Sequence, residues 1–485
     1  MRRWLPLAEV FIGPSLVIAF LWFTTMNRIA FVESIAAFLL LSAAWWSYAH
    51  WRRAVFRGLP LFAAVTAMYW LYFGVALFYG DRRALDWKHP FRQVGEDAVT
   101  AAILMVLLGV FSLWLGMNSG LGRRAAPRRM PGLLPGMLTL RYLQALAVLG
   151  PVLEFTHLTF GGEGFRQVLI ALQGTVSLAA FVILLRRVLL AGGTPSEKAL
   201  LWGVAAVRMT YGISSGWLGT PLLEGMIYAL VYLEVRRKLP VRALLLIVPY
   251  VLFFQPGKTD FRRIFWAGQT QATTFEKIEF WVEASLKKWE GTLDDPSGEQ
   301  WRSMFTSVLM RTTLLTQAAN VIEQTPAIVP YQYGRLYSYV VINWIPRFLW
   351  PDKPTMNEAN QFYQVAYQVT SQRDLSSVSI AVGVLTEGYI NFGWFGPPLV
   401  MFLVGVFLDF WNETFLTGKS MMAMGIGFAM LAQLLVVEYQ MAQYISGILQ
   451  HTVIAMAVFF PIVQWRRARL RPGYGRAMEL AGAQQ

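Results

Sequence analysis

The sequence predicts an all-α polytopic membrane protein, and three observations carry that class. Of 485 residues, 56% are hydrophobic and only 14% charged, with mean hydropathy +0.44, which is too apolar for a water-soluble domain of this length. Apolar runs of roughly 17 to 25 residues, long enough to cross ~30 Å of hydrocarbon, recur about twelve times. The net charge of +14 gathers in short Arg-rich loops between those runs.

In chain order the runs fall at residues 5–25, 29–50, 60–80, 98–118, 137–157, 167–186, 199–217, 219–235, 242–256, 394–412, 421–438 and 445–465. The first follows Met1-Arg2-Arg3 as a signal peptide would, but no small-residue cleavage site comes after it, so it reads as a retained helix. Counting loops alternately, Arg2/Arg3, Arg52/Arg53/Arg57, Arg123/Arg124/Arg128/Arg129, Arg186/Arg187, Arg236/Arg237/Lys238/Arg242, Lys419 and Arg466/Arg467/Arg469/Arg471 share one side. The positive-inside rule makes that side cytoplasmic. Both termini are then inside, and the segment from about residue 257 to 376 is outside. Between Lys258 and Asp374 twelve basic side chains balance twelve acidic ones, so the whole excess belongs to the membrane part.

The expected organisation is an N-terminal membrane block, 1–256, with about nine spans; a large periplasmic loop and re-entry segment, 257–393; a C-terminal membrane block, 394–466, with about three spans; and a basic cytoplasmic tail, 467–485. The expected location is the bacterial cytoplasmic (inner) membrane. "GRRAAPRR" and "QWRRARLRPGYGR" resemble nucleic-acid patches, but each abuts an apolar run on the cytoplasmic side, so nucleic acid is not an expected partner. Zero cysteines exclude thiol nucleophiles, disulfides and thiolate metal sites. No GxGxxG, Walker A or GxSxG motif sits in a strand-turn-helix context, which leaves nucleotide use unsupported. The histidines, His50, His89, His157 and His451, show no metal spacing, so neither metal nor cofactor is expected. His157, beside Glu154 at the outer end of the fifth run, is the one retained as a catalytic candidate. No internal repeat appears, which counts against the two related halves of many transporters.

Within the loop, Phe275 to Trp289 puts Phe275, Ile278, Val282 and Trp289 on one helical face. The helix either lies on the membrane surface or belongs to an ordinary exported domain. Residues 301–324 also read as helix, with Arg311 on the stripe of Met304, Val308, Leu315, Ala319 and Ile322. Pro326 and Pro330 end it and start an extended aromatic segment.

That segment holds the chemistry. Between Arg302 and Lys353, five basic residues (Arg302, Arg311, Arg335, Arg347, Lys353) face two acids, Glu323 and Asp352. Guanidinium groups hold phosphate oxygens bidentately and stay charged, so such a cluster suits a phosphorylated lipid. Interleaved Tyr331, Tyr333, Tyr337, Trp344 and Trp350 suit stacking on sugar rings or seating at the headgroup level. Arg and Trp also anchor interfacial segments with no ligand at all. Three prolines in "IPRFLWPDKP" fix the backbone that presents Arg347, Asp352 and Lys353. Further on, Glu387 interrupts an apolar run at the expected re-entry to the membrane, where an acid is costly unless paired or functional. It reads as a general base toward a sugar hydroxyl or as a structural partner for an arginine. Arg208 and Glu224, eight residues either side of Gly216, are expected at similar depth as an ion pair, with a substrate-binding role as the alternative.

"TPAIVPYQYGRLYSYVVINWIPRFLWPDKP", followed by "EGYINFGWFG", resembles the Wzy-type oligosaccharide repeat-unit polymerases of O-antigen and exopolysaccharide synthesis. The resemblance covers mainly residues 302–400, together with the many-span topology and the late exported loop. It implies a GT-C-like, metal-independent glycosyltransferase using undecaprenyl-diphosphate-linked oligosaccharides as donor and acceptor. By position it implies that Arg311, Arg347 and Lys353 bind diphosphate, that Arg335 and Tyr337 lie near the sugars, and that Glu387 orients or deprotonates the acceptor; Tyr331, Asp352 and Arg208 complete the expected substrate-binding set. Glu387, Arg311 and Arg347 are then the catalytic set. Many members carry an Arg after a small-residue turn where this chain reads "SSGWLGTPLLEG", and Arg208 is the substitute. Implied partners are membrane lipids and a chain-length regulator and flippase of the same pathway. Three readings stay open beside it: a glycan ligase using the same donor, a lipid-linked oligosaccharide flippase or other transporter, and a noncatalytic assembly partner.

Overall fold

The computed structural model describes residues 7–25, 27–53, 58–79, 93–156, 168–238, 240–266, 272–295, 297–301, 313–345, 349–350, 352–354, 357–372, 375 and 380–464. Arg311, Arg347 and His157 lie outside the described residues.

Helices of eight residues or more are α1 (Leu7–Thr24), α2 (Phe31–Arg53), α3 (Leu61–Tyr69), α4 (Glu96–Asn118), α5 (Met137–Thr156), α6 (Val168–Ala191), α7 (Pro195–Ser214), α8 (Gly219–Arg236), α9 (Val241–Phe254), α10 (Lys258–Phe265), α11 (Thr274–Leu293), α12 (Leu315–Gln324), α13 (Glu358–Ala366), α14 (Gly383–Phe392), α15 (Gly396–Trp411), α16 (Met421–Ala429) and α17 (Gly447–Phe459). Strand pairing among the described residues is confined to β1 (Gly132–Leu133) and β2 (Val463–Gln464), antiparallel, with Gly132 opposite Gln464. Among the described residues six helical stretches are long and apolar enough to cross a membrane: Phe31–Arg53, Glu96–Asn118, Met137–Phe155, Val168–Ala191, Gly383–Leu416 and Ala442–Ile462. The protein is a multi-pass, helical membrane protein.

Two boundaries differ from the sequence reading. The run expected at 394–412 is helical from Gly383, because Gly388 and Gly396 let the α14–α15 turn close backbone to backbone. The run expected at 421–438 breaks after Ala429 and again after Leu435, and residues 436–440 are not helical. Glu438, Tyr439 and Gln440 fill that gap, and irregular backbone at such a position needs partners from elsewhere in the protein.

The described chain forms two compact units that interleave along the sequence. The first gathers residues 1–127, 306–414 and 433–450, and the second 128–305, 415–432 and 451–485. In the first unit α4 packs along α15, and Gly116 and Gly405 set the closeness of the crossing. A Cβ on either would overlap the other helix's backbone, the approach that small residues permit between membrane helices. In the second unit α6 is the central element, with Ala179, Ala180 and Val182 fully buried against α5 and α16. Gly425 of α16 sits against Ile183 and the Ala179 carbonyl.

Also in the second unit, Thr273 and Glu276 close a reciprocal capping box at the start of α11. The face of α11 that is buried carries Trp281, Ser285 and Thr292, rather than the Phe275 stripe the periodicity favoured. Trp281 decides this, because its ring packs with Phe261 and Leu218 while its indole N–H donates to the Phe254 carbonyl at 2.9 Å.

Candidate active site

Glu387 lies in the middle of α14, whose residues Gly383 to Asn391 are all buried. The helix is bounded by two glycines in conformations that side chains resist. Gly383 has φ +76 beside the Val437 carbonyl, and Gly393 has φ +58, ψ −144 beside the Tyr331 ring.

The Glu387 carboxylate is fully buried, and one of its oxygens is engaged: Oε2 accepts the Met441 amide at 2.6 Å. Met441 is the first helical residue after the non-helical 436–440 segment, so its N–H lacks a helical acceptor and takes the carboxylate instead. The other oxygen, Oε1, is buried with no hydrogen-bond partner among the described residues. Among the described residues no cation pairs with Glu387, which leaves the arginine-partner reading without a described arginine. The neighbouring Thr386 hydroxyl is likewise buried without a partner among the described residues.

The aromatic segment docks on the C-terminal end of the same helix, where the last carbonyls have no intrahelical donors. Gln332 N–H donates to the Ile390 carbonyl and Tyr333 N–H to the Asn391 carbonyl, both at 3.0 Å. Asn391 joins the two parts. Its side-chain amide donates to the Glu387 carbonyl at 2.9 Å, and its Oδ1 accepts Gly334 N–H at 3.0 Å. The segment is therefore not extended throughout, as Pro326 and Pro330 led the sequence reading to expect. It turns at Tyr333 (φ +46) and Gly334 (φ +88) into a short helix, Arg335–Tyr337.

That docking assembles a wall of tyrosines. Tyr331 stands edge-on to Tyr389 at 6.4 Å and to Tyr333 at 6.3 Å, and Tyr337 packs on Phe392 at 6.1 Å. Burial first, and the Glu387 charge second, hold the Tyr337 phenol well above its ordinary range. Burial likewise raises the Tyr367 phenol to about 12, against the opposing hydrogen bond with Thr325.

The cations separate. Arg335 is exposed, and its guanidinium makes no hydrogen bond or ion pair among the described residues. Lys353 donates to the carbonyls of Asn343 (3.0 Å) and Ile345 (2.7 Å), closing the end of the helical turn Ser338–Ile342 as a cation at a helix C-terminus does. Gln450 adds a bond to the same Asn343 carbonyl at 2.7 Å. Asp352 is exposed.

Arg208 belongs to the second unit, buried and paired with Glu224 at 2.7 Å as expected. Its other donors reach Ser177 Oγ at 3.2 Å and the Gln173 carbonyl at 3.3 Å. Gln173 lies in a π turn, Leu172–Val176, whose wider winding frees such a carbonyl. Tyr228 donates to the second Glu224 oxygen at 3.3 Å, so the pair is hydrogen-bonded on several sides.

Sequence reasoning missed Asn391 and the Met441 amide. Asn391 carries a signal, a polar residue four positions after Glu387 in an apolar run, and hence on the same helical face. Met441 carries none, since any residue but proline supplies a backbone amide. Among the described residues no three His, Asp or Glu side chains converge as a metal site requires.

Neither a curated protein nor a solved structure matches the chain. The sequence model of a family described as a domain of unknown function, DUF8712, matches residues 145–468, more than half of the chain and inclusive of Arg208, the aromatic segment and Glu387. The chain belongs to the DUF8712 family.

Proposed function

We propose that the protein is a Wzy-type polymerase, a GT-C-like glycosyltransferase that joins undecaprenyl-diphosphate-linked repeat units at the outer face of the bacterial inner membrane. The observation that carries this reading is a fully buried carboxylate with one oxygen unengaged among the described residues, in the helix on which an aromatic segment docks and presents an exposed guanidinium at Arg335. A buried acid with no cation is costly to keep in a membrane protein, and acid–base work is a reason to keep it.

In this reading about twelve spans hold both termini in the cytoplasm and the loop in the periplasm. Glu387 Oε1 takes the proton from an acceptor sugar hydroxyl, whose oxygen then attacks the anomeric carbon of the donor. The bond from that carbon to the lipid diphosphate breaks, and the diphosphate leaves with the electron pair. Arg335, with Arg311 and Arg347, stabilises the charge that develops on it. Tyr331 and Tyr337 stack on the sugars, Asp352 lies beside them, and Glu387 returns its proton to water. Lys353, engaged by two carbonyls, acts here by holding the segment in place.

The test is elongation of lipid-linked repeat units by the protein in nanodiscs, with products resolved by size. A ladder from wild type that falls by roughly 10²-fold or more in Glu387→Gln supports the reading. Transfer only to a different acceptor identifies a ligase, and lipid movement without transfer a flippase.

A further inference from the structure

A cavity of about 780 Å³ in the second unit plays no part in that reading. It runs along one face of α7 through Lys198, Trp202, Met209 and Ile213, faces Gly225 and Tyr232 of α8, and has α6 beneath it. From Lys198 to Ile213 is roughly 22 Å along the helix at 1.5 Å per residue, so the space is long and suits a chain rather than a compact ligand. Its wall is almost wholly apolar, and the far end is closed where Ile213 and Tyr250 pack on the Leu218, Phe261 and Trp281 cluster.

The two ends differ in charge. At the Lys198 end, Arg186 pairs with Glu234 at 3.0 Å and Arg187 pairs with Glu197, which ties the ends of α6, α7 and α8 together. Beyond those neutral pairs, Lys198, Arg236 and Lys238 are exposed and form no ion pair among the described residues. Surplus positive charge at the mouth of an apolar groove complements a lipid with an anionic head and a hydrocarbon tail.

We propose that this groove binds one anionic phospholipid, its phosphate at Lys198 and an acyl chain along α7 and α8. The site is independent of the proposed polymerase chemistry, being built only from α6 to α9.

Gly225 gives the means to test it. A Cβ there meets nothing within 4 Å, so Gly225→Leu grows into the groove without displacing backbone. Gly203 is equally open but lies off the groove face of α7, and Gly203→Leu serves as the control. The full-length protein in detergent is titrated with phosphatidylglycerol or phosphatidylcholine and examined by native mass spectrometry, with size exclusion and helical circular dichroism reporting the fold. The expected result is one phosphatidylglycerol retained by wild type and by Gly203→Leu. Gly225→Leu is expected to weaken it about tenfold, and Lys198→Glu to remove the preference over phosphatidylcholine. Equal retention by wild type and Gly225→Leu overturns the site, and equal binding of the two lipids by wild type overturns the anionic headgroup. Displacement of the bound lipid by equimolar undecaprenyl phosphate reassigns the groove to a polyprenyl chain.

Discussion

The Glu387 carboxylate accepts the backbone amide of Met441 at 2.6 Å through Oε2, while Oε1 of the same group is buried and unengaged. One oxygen therefore stabilises a broken helix, and the other is the one the proposed chemistry would use. The division separates two substitutions that remove the same charge.

Glu387→Gln keeps a carbonyl oxygen for the Met441 N–H and removes the proton acceptor. Turnover is expected to fall by roughly 10²-fold or more with little change in melting temperature. Glu387→Ala also orphans the amide, at about 1 to 3 kcal/mol, so its melting temperature drops as well. Equal turnover by wild type and Glu387→Gln sinks the general-base role.

Gly393→Ala places a side chain in a region close to glycine-only and drives its Cβ to 2.8 Å from the Tyr331 hydroxyl and 3.0 Å from the ring. The backbone alone costs about 1 to 3 kcal/mol. Adding Tyr331→Ala should recover the part due to the clash, read as the coupling energy of a double-mutant cycle in thermal unfolding.

Breaking the buried Arg208–Glu224 pair from one side leaves the other charge uncompensated. Arg208→Ala or Glu224→Ala is expected to destabilise by about 3 to 5 kcal/mol, and the double substitution by less than the sum. Strict additivity in chemical denaturation would show that the two do not interact.

The capping box at Thr273 and Glu276 makes the start of α11 sensitive to acid. Hydrogen bonds from the Thr273 amide and hydroxyl hold the Glu276 carboxyl below its ordinary value. A folded-state value lower than the unfolded one means the stabilisation is present above the unfolded value and is lost as pH falls through the folded one. Amide protection over the first turn of α11, measured as exchange relative to the intrinsic rate at each pH, should therefore fall below about pH 4, and Glu276→Gln should remove that pH dependence.

How far the site was legible follows from how far its determinants are local. Glu387 was visible because a single acid interrupts an apolar run, and the Arg208–Glu224 pair because equal spacing about the Gly216 turn implies equal depth. Lys353 was misleading: "WPDKP" presents it as a rigid free cation, but the chain folds back so that its ammonium donates hydrogen bonds to the Asn343 and Ile345 carbonyls. The stripe read for α11 did not include Trp281, whose indole N–H meets the Phe254 carbonyl and turns that face inward.

By itself the sequence determined the membrane class, the helices and the isolated charges, because hydropathy over a window of one span measures the cost of moving that stretch out of water. Only the tertiary structure decided which backbone groups those charges would meet. The Met441 amide reaches Glu387 across 54 residues, and Gly334 reaches Asn391 across 57. A hydrogen bond between distant segments depends on where a helix breaks and how closely its neighbours pack, and no single stretch of residue types records that.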